Sequence, residues 1–203
     1  MDFHRRGYTV VDYVISEALC EELIAALPII DSSGTRLLLE LAPFRQLAPL
    51  LRANKFLAIG DLVAVECIFF RKSSDHNWSV NLHRDSVLPM RGYGEWPAAG
   101  VKEGLECVTP PREFLDRCLA VRVHLDGAPV EDISVIPGSH LDTHKHDRSK
   151  AVAVKVGKCG ALVFRPTLAH ASSRLRGSHH RRVLHYVFGP KELPYHYSWH
   201  AAA

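Results

Sequence analysis

The 203-residue chain lacks most of the features that announce an exported, membrane-bound or nucleic-acid-binding protein. Its five cysteines (Cys20, Cys67, Cys107, Cys118, Cys159) are odd in number and scattered, with no C-x-x-C pair. Neither a disulfide framework nor a cysteine zinc site is expected, and a reducing, cytoplasmic setting fits best. No long apolar run occurs: the opening MDFHRRGYTVVDYVI is interrupted by Asp12 and is too brief for a signal-peptide core or a bilayer span. Charge of one sign is also scarce. A net charge of +3 is too mild to call for nucleic acid or an anionic membrane as partner. Glycine and proline, 13 and 12 residues, stand at ordinary levels, and their stretches form neither a P-loop nor G-x-G-x-x-G after a strand. A G-x-S-x-G nucleophile elbow is missing too, which argues against a serine hydrolase.

What is present is 47% hydrophobic residues in a length suited to one domain, residues 1–203, that can bury a core without metal or disulfide staples. Residues 1–60 read as a helical buttress. Ser16 is a good N-cap for EALCEELIAAL, which Pro28 ends, and the apolar stretch 35–58 is broken by Pro43 and Pro49 into two or three short helices. From residue 61 to about 190 the pattern changes to short β-rich runs at 62–71, 77–83, 118–125, 132–137, 151–156, 161–164 and 181–188. Such runs predict an antiparallel sandwich or barrel, a mainly β fold. Residues 86–117, rich in glycine and proline, read as a structure-poor loop insertion of the kind that often serves as a lid.

Histidine is abundant, with 13 residues, nine of them between His140 and His200. His83-Arg-Asp85 ends a β-like run, and residues i and i+2 of a strand share a face, so imidazole and carboxylate can converge on one ion. With a second imidazole from a distant strand they would make the two-His-one-carboxylate triad that leaves positions open on Fe(II). Two other H-x-D triplets, His124/Asp126 and His140/Asp142, compete, although Asp126 reads as a turn residue and His140 follows the tight turn Pro137-Gly138-Ser139. Farther on, His170 is followed eleven residues later by Arg181 and Arg182 at the start of a strand. Alternation lets only one of the two arginines face inward, where its planar fork suits a carboxylate. The basic stretch Arg174, Arg176, His179 to Arg182 also reads as a solvated loop.

Five motifs in order, F-x-x-x-G-Y (Phe3 to Tyr8), H-x-D (His83, Asp85), V-I-P-G-S-H (Val135 to His140), G-A-L-V-F (Gly160 to Phe164) and H-A-S-S followed by R-R (His170 to Arg182), resemble the phytanoyl-CoA dioxygenase family over nearly the whole chain. The resemblance implies a double-stranded β-helix, a cupin-like jelly roll with helices packed outside. It implies iron on His83, Asp85 and His170, the 2-oxoglutarate carboxylate on Arg181, and Fe(II), 2-oxoglutarate and O2 as cofactor and cosubstrates. The reaction it implies is hydroxylation or another oxidation of a C–H bond in a small molecule, and the presence of Asp85 favours this over halogenation. The chain departs from the family where Leu82 and Arg84 flank the first ligand in place of Trp and Gln, and where Asp132-Ile133 replaces an Asn-Gly turn.

On the substrate side, Asn81, Arg122 and Trp96 are the candidates, with Tyr93 as a further lid contact. Arg84 and Arg122 beside the site suit an anionic small molecule. The competing function is a noncatalytic cupin-like metal-binding or sensing protein, which the same ligands would support.

Overall fold

The computed structural model describes residues 3–127, 133–142, 147–175 and 180–203. In chain order the elements are α1 (Phe3–Arg6), β1 (Tyr8–Val11), α2 (Glu17–Ala25), β2 (Gly34–Thr35), α3 (Ala42–Ala53), β3 (Val63–Lys72), β4 (Val80–His83), β5 (Leu88–Arg91), β6 (Ala98–Lys102) and β7 (Leu105–Val108). There follow α4 (Arg112–Leu115), β8 (Leu119–His124), β9 (Ile133–Val135), β10 (Val152–Val154), β11 (Ala161–Phe164), β12 (His170–Ser172), β13 (Arg181–Gly189) and β14 (Ser198–Trp199).

The Ser16 hydroxyl caps α2 by accepting from the Leu19 amide, as its position predicts. Pro43 sits in the first turn of α3, where a missing N–H costs nothing. Pro49, by contrast, does not break the helix; α3 runs through it to Ala53. The reason is placement. Pro49 and Arg45, whose carbonyl loses its partner, both face solvent, while Phe44, Leu47, Ala48 and Leu51 on the opposite face are buried and hold the helix down. That face packs with Leu23 of α2 against Cys67, Phe69, Leu184 and Phe188 of the neighbouring sheet. Burial at about 1.5–3 kcal/mol per large apolar side chain makes this the main core. The Tyr186 hydroxyl donates to the Phe44 carbonyl at 2.7 Å, tying helix to sheet.

Three antiparallel sheets carry the rest. The largest has the order β1-β11-β8-β13-β3-β2, and a smaller one the order β10-β9-β12-β4. The fold is mainly β, a cupin-like jelly roll, with α2 and α3 on the outside of the larger sheet. Residues 86–117 are not structure-poor: β5, β6 and β7 pair there and, with β14, form a third sheet. Strands of four or five residues containing Pro89 and Gly100 carry little alternation, which is why the sequence reads as loop. Pro89 is tolerated because β14 pairs only with Met90 and Arg91, so Pro89 has a ladder neighbour, Cys107, on one side alone.

The V-I-P-G-S-H segment joins the N-terminus to the smaller sheet. Gly138 adopts φ of 80° and its amide donates to the Arg6 carbonyl. The Ser139 hydroxyl accepts from the Ala169 amide, one residue before His170, and a His140 ring nitrogen lies 2.8 Å from the His4 carbonyl. His140 thus packs on Gly7, which has φ of 79° and where an added Cβ would fall 2.3 Å from the ring. Gly7→Ala is therefore expected to lower stability by about 2–4 kcal/mol, combining left-handed strain with overpacking. Thermal melting reads the result, and an unchanged midpoint would contradict this packing.

Candidate functional site

β4 and β12 are paired so that His83 and His170 are direct cross-strand partners, with ring centroids 4.2 Å apart. Each ring has one nitrogen against a local carbonyl, His83 Nδ1 at 2.8 Å from Asn81 O and His170 Nδ1 at 2.9 Å from Leu168 O, so both Nε2 atoms turn the other way. They meet Asp85, whose amide donates to Pro166 O and whose carboxylate lies 3.5 Å from His83 Nε2 and 3.8 Å from His170 Nε2. The three ligand atoms fall within 4.8 Å of one another. Asp85 Oδ2 is buried and makes no hydrogen bond among the described residues. Burial by itself would lift the Asp85 carboxyl; His170, His83 and His185 outweigh it and hold it below the usual carboxylate range. Two imidazoles and a carboxylate with an orphaned oxygen fit one divalent ion of the iron class.

The competing triplets do not converge. His124 is buried in the interior, whereas Asp126 is hydrogen-bonded to Arg182 at 2.6 Å and 3.0 Å. His140 is engaged with His4, as above, and the Asp142 carboxylate lies toward Arg84.

The triad opens on a cavity of about 380 Å³ between the two jelly-roll sheets. The larger sheet contributes Ile68 and Phe70 of β3, Arg122 of β8 and His185 of β13; the smaller contributes Val80 and Ser172. One end is strongly cationic. Arg181 is buried with Nη2 3.1 Å from the Ser172 hydroxyl, which also accepts from Lys72 Nζ at 2.7 Å. Arg122 is 7% exposed and its Nε has no hydrogen-bond partner among the described residues. Burial, with repulsion from Arg181 and Arg122, pushes the Lys72 ammonium down to about 7. Burial and Arg122 lower Arg181 to about 9, leaving it charged at neutral pH. Such a concentration of buried cations is costly unless an anion enters. The outward neighbour Arg182 is taken up by Asp126, so alternation places Arg181, not Arg182, inward.

Among the remaining sequence candidates, Arg122 lines the cavity, whereas Asn81 does not. A bulge between His170 and Ser172 sets Ser172 opposite Val80, shifting the parity of β4 so that Val80 takes the place predicted for Asn81. Trp96 is also elsewhere: it stacks on Tyr197 at 5.0 Å and packs on Phe114, and Tyr93 is exposed beside His196. Arg84 donates to the carbonyls of Thr167, Ser139 and Asp142, a strut that occupies the place of the expected Gln. Asp132, Arg176 and His179 lie outside the described residues. Sequence reasoning missed Lys72, Ser172, His185 and Glu66. Glu66 stands alone among apolar neighbours in VAVECIFF, and a charge inside such a strand was the available signal.

Comparison with known proteins gives the same class. A family model described as phytanoyl-CoA dioxygenase (PhyH) matches residues 41–183. No curated protein matches the sequence. Among solved structures, the non-heme alpha ketoglutarate dependent epimerase SnoN from nogalamycin biosynthesis is similar with TM-score 0.68 and 16% identity, over 92% of this chain and 77% of that one. HygX from Streptomyces hygroscopicus, with nickel and 2-oxoglutarate bound, gives 0.66 and 17%, over 93% and 84%. AviO1 from Streptomyces viridochromogenes Tue57 gives 0.63 and 20%, over 96% and 94%. At these identities the structures speak for the fold, whereas the family match spans well over half of the sequence. The chain therefore belongs to the phytanoyl-CoA dioxygenase family and is an enzyme dependent on Fe(II) and 2-oxoglutarate, with O2 as cosubstrate.

Proposed function

We propose that this protein hydroxylates, or otherwise oxidises, a C–H bond of a small molecule, with iron held by His83, Asp85 and His170 and the distal carboxylate of 2-oxoglutarate held by Arg181. The observation that carries the proposal is a three-ligand cluster that shares its cavity with Arg122 and Ser172, with Arg181 and Lys72 bonded to Ser172. When bound, Fe(II) and 2-oxoglutarate supply the oxidising power: one oxygen atom of O2 enters succinate, the other the product, and CO2 leaves.

The chain's own residues orient and enclose. The carbonyls of Asn81 and Leu168 fix the two imidazoles with Nε2 toward the ion, and the Pro166 carbonyl anchors Asp85 through its amide. The Arg181 fork and the Ser172 hydroxyl hold a carboxylate; Lys72, bonded to Ser172 and to the Ser173 carbonyl, adds charge behind them. Phe70, Trp78 and Val80 wall this end with apolar surface, which limits water around the reacting centre. Arg84 is already committed to carbonyls, so the cationic end is read as a cosubstrate site and gives no separate support to an anionic prime substrate.

SnoN is described as an epimerase, and a HygX structure contains hygromycin B. Those descriptions favour a small-molecule substrate while leaving oxidative outcomes other than hydroxylation within reach of this scaffold. The five cysteines are buried and free, as a reducing compartment would keep them, which supports the reading of a cytoplasmic enzyme. The expected result is slow succinate release from 2-oxoglutarate in air with Fe(II), without prime substrate, and none under anaerobic conditions. Full iron loading with no succinate from any substrate tried would favour the noncatalytic metal-binding alternative.

A further inference from the structure

The cavity has a second polar pole that the cosubstrate does not explain. β3 lays Glu66, Ile68 and Phe70 along one wall, with Lys72 next on the same face. At about 3.3 Å per residue, Glu66 stands roughly 20 Å along the strand from Lys72, at the far end from Ser172 and Arg181. His185, 3.7 Å from Asp85, pairs with Ile68, which stands between Glu66 and Lys72 on β3, so the triad lies between the two poles. Glu66 is 4% exposed, and burial raises its pKa against the opposing pull of Arg36. Its Oε1 accepts from Arg36 Nη1 at 2.6 Å, while Oε2 has no hydrogen-bond partner among the described residues. The surrounding cavity wall is formed by Ile68, Leu88 and Val187 together with Arg36 and Lys102, and Lys102 acts on Glu66 as a second neighbouring positive charge. Oε2 is not sealed off: Glu66 lines the cavity, and this oxygen stands as an acceptor open to an entering ligand. It is a good acceptor for a ligand that brings its own donor.

We propose that Glu66, held in place by Arg36, determines substrate specificity by accepting a hydrogen bond from a hydroxyl or ammonium group of the prime substrate. The substrate is then a small molecule with a donor group on the side of its oxidised carbon remote from 2-oxoglutarate. That geometry rests on the iron and 2-oxoglutarate reading of the triad; the acceptor role of Glu66 does not.

The test uses three probes of one size, cyclohexanol, cyclohexylamine and cyclohexanecarboxylate, in ligand-observed NMR by saturation transfer. Protein is measured without metal, and again with Zn(II) and excess 2-oxoglutarate to fill the cationic end. With the cationic end filled, the alcohol and the amine are expected to bind and the carboxylate is not. In Glu66→Gln, which keeps an acceptor but loses the charge, amine affinity should fall about tenfold or more and alcohol affinity less. Thermal melting verifies that the variant folds, and the preference of the parent protein for donors needs no variant at all. Failure of both donors to bind, carboxylate binding as strong as amine binding with the cationic end filled, or equal amine affinity in folded Glu66→Gln would overturn the proposal. Absence of succinate release with donor preference intact would instead count against the cofactor reading alone.

Discussion

Asp85→Ala is expected to lower iron-dependent succinate release from 2-oxoglutarate by more than about a hundredfold, and to do so in a folded protein. Loss of partners that merely orient a ligand typically costs 10–100-fold in metal affinity or activity, and removal of a ligand itself should exceed that range. Asp85 is the meeting point of the cluster: His83, His170 and His185 all place Nε2 between 3.5 and 3.8 Å from its carboxylate. Its removal leaves His185, pushed down to about 4 by burial, as a neutral ring with no ionic role, so the fold should tolerate the change. Iron content and succinate formation, measured on variant and parent protein, check the result. Undiminished turnover would mean that the ion, or the chemistry, lies elsewhere.

Arg181→Ala is expected to weaken 2-oxoglutarate binding by about a hundredfold or more while leaving Fe(II) binding nearly intact. Breaking a buried, hydrogen-bonded charge pair by removing one partner costs about 3–5 kcal/mol, and the distal carboxylate would lose a guanidinium that is 3% exposed. Lys72 and Arg122 remain nearby, so some affinity should persist through charge alone. Arg182→Ala is the control. Its side chain turns outward to Asp126, and the cosubstrate affinity should not change. Isothermal titration with 2-oxoglutarate in the presence of a redox-inert divalent ion separates the two variants. Equal affinities would place the carboxylate on Arg122 or Lys72 instead.

Local chemistry made much of this site legible before the structure. His83 and Asp85 come together although β4 ends at His83, because the Asp85 amide is tied to the Pro166 carbonyl, and the Arg181/Arg182 pair posed a choice that alternation resolves once β13 is paired to β3 and β8. Ser16, Pro28 and the apolar spacing between them located α2. Three features were not legible, for physical reasons. The parity of β4 depends on a bulge in its pairing with β12, a tertiary event that moves Val80 to where Asn81 was expected. Pro49 reads as a helix breaker unless it is known that the freed carbonyl faces water and the opposite side is buried. Trp96 has the composition of a lid contact, but it finds better partners in Tyr197 and Phe114, and Tyr197 is distant in sequence. The cationic end was half visible. Arg122 and Arg181 are plain in the sequence, but Lys72 at the end of an apolar strand joins them only through the antiparallel register that sets Arg181 opposite it.

Binding of Fe(II) and 2-oxoglutarate at the triad is the central claim, and anaerobic titration tests it most directly. Fe(II) and 2-oxoglutarate are added together, and the weak visible metal-to-ligand charge-transfer band of the chelate is followed in the parent protein and in His83→Ala, Asp85→Ala and Arg181→Ala. The account predicts a saturable band in the parent, its loss in the two ligand variants, and its appearance only at much higher 2-oxoglutarate in Arg181→Ala. No band in folded, iron-loaded parent protein, or an unaltered band in Asp85→Ala, would contradict it.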